Sequence, residues 1–146
     1  MLNIHAGLGP NATHALLSYA VSKGYPIFGV EPSNEAGCIR ESDLGKLVSV
    51  LRDVYPDQTS RPRLIGADTV GNPVGALQCF LNRTSAAGEP ALAGNYHAYP
   101  ASTQAGLAQY AALKGSSLPQ AELWVGETAK SSGGCGLAVS QTFPRG

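Results

Sequence analysis

Several side chains able to move protons follow short apolar runs in this sequence. Glu31 and the pair Asn34-Glu35 come after Tyr25 to Val30 (YPIFGV). Asp68 and Thr69 come after Arg63 to Ala67 (RLIGA). Asn95, Tyr96, His97 and Tyr99 sit in or end Ala91 to Tyr99 (ALAGNYHAY), and Glu127 follows Glu122 to Gly126 (ELWVG). Carboxylates and an imidazole gathered on one rim can donate and accept protons, as acid/base chemistry on a neutral polar substrate requires. A lone glutamate at a strand end is ordinarily a cap or loop residue, and a lone Tyr or His there is ordinarily a packing group. The recurrence at one run end after another is what points to a site.

A second chemistry competes. Gly7-Leu8-Gly9-Pro10-Asn11-Ala12 fits the G-x-G-x-x-A form of a dinucleotide loop, preceded by the apolar run Leu2 to Ala6. Glu31 stands about 20 residues further on, where a ribose-binding acid belongs. On that reading the chain is a nucleotide-binding α/β module, with backbone amides at a helix N-terminus meeting a pyrophosphate. No G-x-S-x-G, Walker loop or H-E-x-x-H occurs, so those nucleophile, phosphate and zinc sites have no motif. Cys38, Cys79 and Cys135 are odd in number, far apart and without C-x-x-C. They read as buried or free thiols rather than a zinc or thioredoxin site. No metal and no cofactor is therefore expected. The sequons Asn11-Ala12-Thr13 and Asn82-Arg83-Thr84 fit a secreted protein.

The elements that must carry these groups alternate. Asn11 to Thr13 offer capping oxygens before Ala15, Leu16, Leu17, Ala20 and Val21, which share a helical face stopped by Gly24. Ser42 is the expected cap of a second helix, with Leu44, Leu47, Val48, Leu51 and Tyr55 in helical period and Pro56 at its end. Asn72-Pro73 reads as a cap and first helical residue before Val74, Leu77 and Leu81. A fourth helix is expected from Ser102 or Thr103 through Leu107, Tyr110, Ala111 and Lys114. The four apolar runs named above are the strand candidates, and Lys130 to Gly136 (KSSGGCG) reads as loop. Such α-β alternation predicts a parallel sheet with crossover helices.

Composition narrows the function classes. Ten Lys+Arg balance ten Asp+Glu over 146 residues, so there is no basic footprint for nucleic acid or an anionic membrane. The chain is 43% hydrophobic and 14% charged, which suits one globular domain and excludes a disordered tail. It has no apolar run long enough to span a bilayer, and Met1 to Gly9 lack the pattern of a signal peptide.

Trp124 to Phe143 (WVGETAKSSGGCGLAVSQTF) resembles the W-[VL]-G-E-T segment of heparanase-like glycoside hydrolases, family 79, with its Gly-Gly loop and S-x-T-F. Tyr19 to Tyr25 (YAVSKGY) resembles the family's Y-x-x-S-K-G-Y. Counted on from there without a gap, Asn34-Glu35 meets the family's N-E pair and Glu31 its earlier Glu, with Val30, Pro32 and Ser33 where the family has Trp, Leu or Phe, and Gly. A gapped alternative reads Gly29-Val30-Glu31-Pro32 as G-N-E-P. Asn95 to Tyr99 (NYHAY) resembles H-H-x-Y, with Tyr96 in place of the first His, and Leu64 to Asp68 (LIGAD) resembles L-x-G-P-D.

The resemblance implies a partial (β/α)8 barrel, about four β/α units resembling strands four to seven, and a retaining glycosidase. Glu127 is then the nucleophile and Glu35 the acid/base, with Glu31 as the alternative. Asn34 would bind the sugar 2-hydroxyl, His97 and Tyr99 would position Glu127, and Gly133-Gly134 would reach an acidic sugar's carboxylate. The implied partner is a carbohydrate, a glucuronide or glucuronic-acid-containing glycan. The implied setting is extracellular, lysosomal or membrane-associated. A full barrel needs about 250 residues, so residues 1–146 are expected to be a fragment of the catalytic barrel without a second domain or a complete cleft. A non-catalytic glycan-binding relative is the other outcome the resemblance allows.

Overall fold

The structure is a computed structural model. It describes residues 2–4, 8–35, 37–70, 73–98, 108–109, 112, 121–128 and 141–142. Nine elements follow in chain order: β1 (Leu2–Asn3), α1 (Pro10–Ser22), β2 (Gly29–Glu31), α2 (Glu41–Val54), β3 (Arg63–Thr69), α3 (Pro73–Ala86), β4 (Ala93–Ala98), β5 (Glu122–Thr128) and β6 (Gln141–Thr142). The strands form one sheet in the order β1-β2-β3-β4-β5-β6. Neighbours from β1 to β5 are parallel, and β6 returns antiparallel to β5.

Each strand pairs with the next one in sequence, with no reversal of order. That is how consecutive units of a (β/α)8 barrel are laid down. A doubly wound dinucleotide fold needs a switch point where the order reverses. This sheet has none among the described residues, so the Gly7-Leu8-Gly9 reading loses the crevice it depends on. Gly7 itself lies outside the described residues.

The buried face of α2 follows its apolar period closely, and that of α1 follows it less closely. In α2 the stripe Leu44, Leu47, Val48 and Leu51 is buried as expected, and Tyr55 is half-buried. The residue flanking its start is Arg40, not Ser42, and Arg40 Nε donates to Asp43 Oδ2 at 2.7 Å. In α1 the helix begins at Pro10, whose missing N–H suits a first turn. Thr13 therefore lies inside the helix, and its hydroxyl donates back to the Gly9 carbonyl at 2.9 Å instead of capping. The buried face is Thr13, Leu17 and Ala20, while Leu16 and Val21 flank it and are exposed. Gly24 ends the helix with φ 66°, a left-handed turn that suits glycine. The segment Tyr25 to Phe28 is not strand. Tyr25 and Phe28 are exposed, and pairing starts only at Gly29. Of the helix expected from Ser102 or Thr103, only Ala108, Gln109 and Ala112 are described, and they are helical.

Helix α3 is keyed closely to the sheet. Leu77, Phe80, Leu81 and Thr84 are buried at helical spacing. A Cβ on Gly94 would stand 2.2 Å from Leu77 Cδ1, and one on Gly66 would stand 3.0 Å from the Phe80 ring. Both glycines let α3 sit directly on β3 and β4. With α3 covering that face, residues 64–69 of β3 are all buried, as strands covered on both faces should be. At the opposite end of the sheet from the candidate site, Glu89 accepts from Arg52 Nε at 3.0 Å and from Arg61 Nη1. Arg61 also donates to the Tyr55 and Pro56 carbonyls that follow α2.

Two cysteines are bonded. Cys38, in the β2–α2 loop, forms a disulfide with Cys79 of α3 across 41 residues. This corrects the expectation of free thiols for that pair. Odd number and wide spacing carry no information on which loop lies against which helix. Cys135 lies outside the described residues.

Candidate active site

The carboxyl ends of β2, β3 and β4 bring their polar residues together. The hub is Asn95, 2% exposed. Its Nδ2 donates to Asp68 Oδ1 at 2.7 Å and to Glu31 Oε1 at 3.1 Å. One amide thus joins carboxylates from two other strands. His97, two residues on and so on the same face, is 3% exposed. Its Nδ1 lies 3.3 Å from Glu35 Oε1, and its Nε2 lies 4.0 Å from Asp68 Oδ1. Glu31, Asn95, Asp68, His97 and Glu35 therefore form a continuous polar chain. When protonated, His97 faces a carboxylate on either side.

Local backbone explains how Asp68 joins. The β3–β4 register pairs Ala67 with Asn95 and Thr69 with Tyr96, leaving Asp68 as the extra residue of a bulge. Asp68 has φ 50°. The bulge and left-handed turn re-aim its side chain toward the Asn95 face. Aspartate tolerates this region better than most residues. Glu35 is the other described non-glycine residue with positive φ, at 53°. Both exceptions among the described residues thus fall in this cluster, as strained residues tend to at functional sites.

The two candidate acids on the β2 side differ in access. Glu31 is 8% exposed and held by Asn95. Glu35 has 37% of its side chain exposed while its carboxylate touches His97. Asn34, next to it, is exposed. On β5, Glu127 is paired with His97 of β4 after a register shift between Tyr96 and His97. Its backbone thus lies beside the imidazole-bearing residue, and its side chain lies outside what is described. Tyr99, Gly133 and Gly134 lie outside the described residues. Tyr96, where the resemblance has a histidine, is fully buried in the hydrophobic core.

Asp68 and Asn95 were legible as strand-end polar residues but not as the centre of the cluster. The signal available was the left-handed tolerance of Asp after Leu64 to Ala67, which alternation alone does not rank. Among the described residues no group of His, Cys, Asp and Glu has the arrangement of a metal site. No helix among them is long and apolar enough to cross a membrane.

No protein-family model matches the sequence, and no curated protein matches it. Solved structures do. The GH39 β-xylosidase from Caulobacter crescentus superposes with a TM-score of 0.60 at 17% identity, over 88% of this chain and 31% of that one. The fold is accordingly that of part of a (β/α)8 barrel. The chain spans under a third of the length of that structure.

Proposed function

We propose that this chain is a segment of the catalytic barrel of a retaining glycosidase of the heparanase-like type, acting on a glucuronide. The observation that carries the reading is the polar chain from Glu31 to Glu35 at the carboxyl ends of the strands, where βα barrels hold their chemistry. The backbone register of Glu127 beside His97 supports including the β5 residue in the same site.

In this reading Glu127 attacks the anomeric carbon while Glu35 protonates the leaving oxygen. A covalent glycosyl-enzyme forms, and Glu35 then takes the proton of the attacking water. Retention sets the two carboxyl groups about 5–5.5 Å apart. The exposure of Glu35 favours it over Glu31 as the proton donor, since a general acid must reach the substrate oxygen. The buried Glu31 serves instead to anchor Asn95. Asn34 is free of the core and suits contact with a sugar hydroxyl. The substrate class and Gly133-Gly134 as the carboxylate cradle come from the sequence resemblance alone.

The test is covalent trapping. A barrel polypeptide containing this segment is treated with a 2-deoxy-2-fluoroglucuronide bearing an activated leaving group. The expected product is an adduct on the peptide containing Glu127. An adduct on another residue, or none together with no hydrolysis of an aryl glucuronide, overturns the proposal.

A further inference from the structure

Glu35 sits on a loop that something must hold, because its φ of 53° is one that a glutamate rarely adopts unaided. Three residues on, Cys38 is bonded to Cys79 of α3. One turn further along α3, Arg83 Nη1 lies 3.1 Å from Cys38 Sγ and donates to the Ile39 carbonyl. Ile39 itself is buried in the core. The loop is thus fastened to α3 by one covalent bond and one guanidinium.

Helix α3 also fixes β4. Leu77, two residues before Cys79, fills the space over Gly94, the residue preceding Asn95. His97 follows on that strand and meets Glu35. The connections close on themselves, from Glu35 through Cys38, Cys79, Leu77 and Gly94 to His97 and back to Glu35.

We propose that Cys38, Cys79 and Arg83 are positioning residues, and that their clamp on the β2–α2 loop holds Glu35 against His97. The acid/base role of Glu35 rests on the function proposed above; the coupling of the clamp to the Glu35–His97 contact does not. Both cysteines are half-buried, so a small dithiol can reach the bond. Thiol–disulfide exchange with a dithiol such as dithiothreitol breaks the Cys38–Cys79 bond and forms the dithiol's own disulfide. Two electrons and two protons pass to the cysteines, leaving two thiols.

The experiment follows the ring signals of His97 by NMR in the 146-residue chain. Wild type and Glu35→Gln are compared in the oxidised state and again after dithiothreitol. In the oxidised protein the substitution shifts the His97 ring signals. After reduction that difference falls severalfold while signals from Leu47 and Leu51 stay in place. Cys38→Ser/Cys79→Ser reproduces the reduced result, and Arg83→Gln, which keeps the disulfide, gives an intermediate one. If the double variant does not fold, the dithiothreitol arm on wild type carries the test.

The proposal is overturned if alkylation and intact mass show no disulfide, or if Glu35→Gln leaves His97 unmoved before reduction. It is equally overturned if the difference survives reduction undiminished, or if reduction abolishes tertiary signals throughout, since the bond then serves global stability. Failure of Glu127 trapping with the His97 coupling intact removes the glycosidase reading and leaves the clamp. Trapping without the coupling does the reverse.

Discussion

Gly126 of β5 faces the side chain of Asn95 on β4 so closely that a Cβ there would lie 2.4 Å from Nδ2 and 2.5 Å from Oδ1. The residue before Glu127 is therefore glycine for a steric reason, because the amide that joins Glu31 and Asp68 occupies the space a side chain would take. Gly126→Ala is expected to displace Asn95 and to cost about 1–3 kcal/mol, the usual range for overpacking. Chemical denaturation of Gly126→Ala, Asn95→Ala and the double variant reads it. The double variant should be more stable than the sum of the two losses implies, since shortening Asn95 removes the clash. Simple additivity would refute the contact.

A second prediction concerns Glu89. Its carboxylate accepts from both Arg52 and Arg61, and Arg61 is 9% exposed. Glu89→Ala leaves that guanidinium short of its charged partner, although its bonds to the Tyr55 and Pro56 carbonyls remain. The expected loss is about 1.5–3 kcal/mol, the scale of hydrogen bonds to charged groups, discounted toward the lower end because Arg52 is half exposed and screened. A shift in denaturation midpoint with an unchanged denaturant slope is the result that supports it.

What was legible in the residues follows a pattern. The α2 stripe, the strand at Arg63 to Ala67, the Pro73 helix start and the parallel α/β class all rest on local signals, which periodicity and proline stereochemistry make readable. The Tyr25 to Phe28 run has the residue types of a strand yet forms a connection, because aromatic and branched residues suit either setting and only a partner strand decides between them. Asp68 could be placed at a strand end, but its turn onto the Asn95 face depends on a register slip against β4, a property of two strands at once. The Cys38–Cys79 bond is of the same kind, since only the packing of α3 brings residue 79 under the β2–α2 loop.

Acid titration should expose the α2 N-terminus. Arg40 hydrogen-bonds Asp43 and holds its carboxyl below the usual aspartate range, with further attraction from Lys46. The folded value lies below the unfolded one, so the charged carboxylate favours the folded state above the unfolded value. That contribution is lost as pH falls through the folded value. Asp43→Asn should be less stable than wild type near neutrality, and the gap should close with acid below the ordinary aspartate range. Melting temperature against pH for both proteins checks this. A gap that widens with acid has the wrong sign and refutes it. Because its partners Arg40 and Lys46 are exposed, added salt should shrink the gap as well.

The division of labour between the carboxylates can be read from leaving-group dependence in a barrel polypeptide that contains this segment. If Glu35 is the proton donor, Glu35→Gln lowers kcat/KM for a poor, alkyl leaving group by about 10²–10⁴-fold, the range of general acid catalysis. An activated aryl leaving group departs without much protonation, so its glycosylation step suffers far less. Glu31→Gln should behave differently. Glu31 is buried and bonded to Asn95 Nδ2, and a glutamine there must turn its own carbonyl toward that donor. Its loss should fall equally on both substrates and be accompanied by lower stability. Glu127→Gln should abolish turnover of both, because no leaving group compensates for a missing nucleophile. Equal losses for the two leaving groups in Glu35→Gln, together with a leaving-group-dependent loss in Glu31→Gln, would transfer the acid/base role to the strand-end residue and require Glu31 to move out from beneath Asn95.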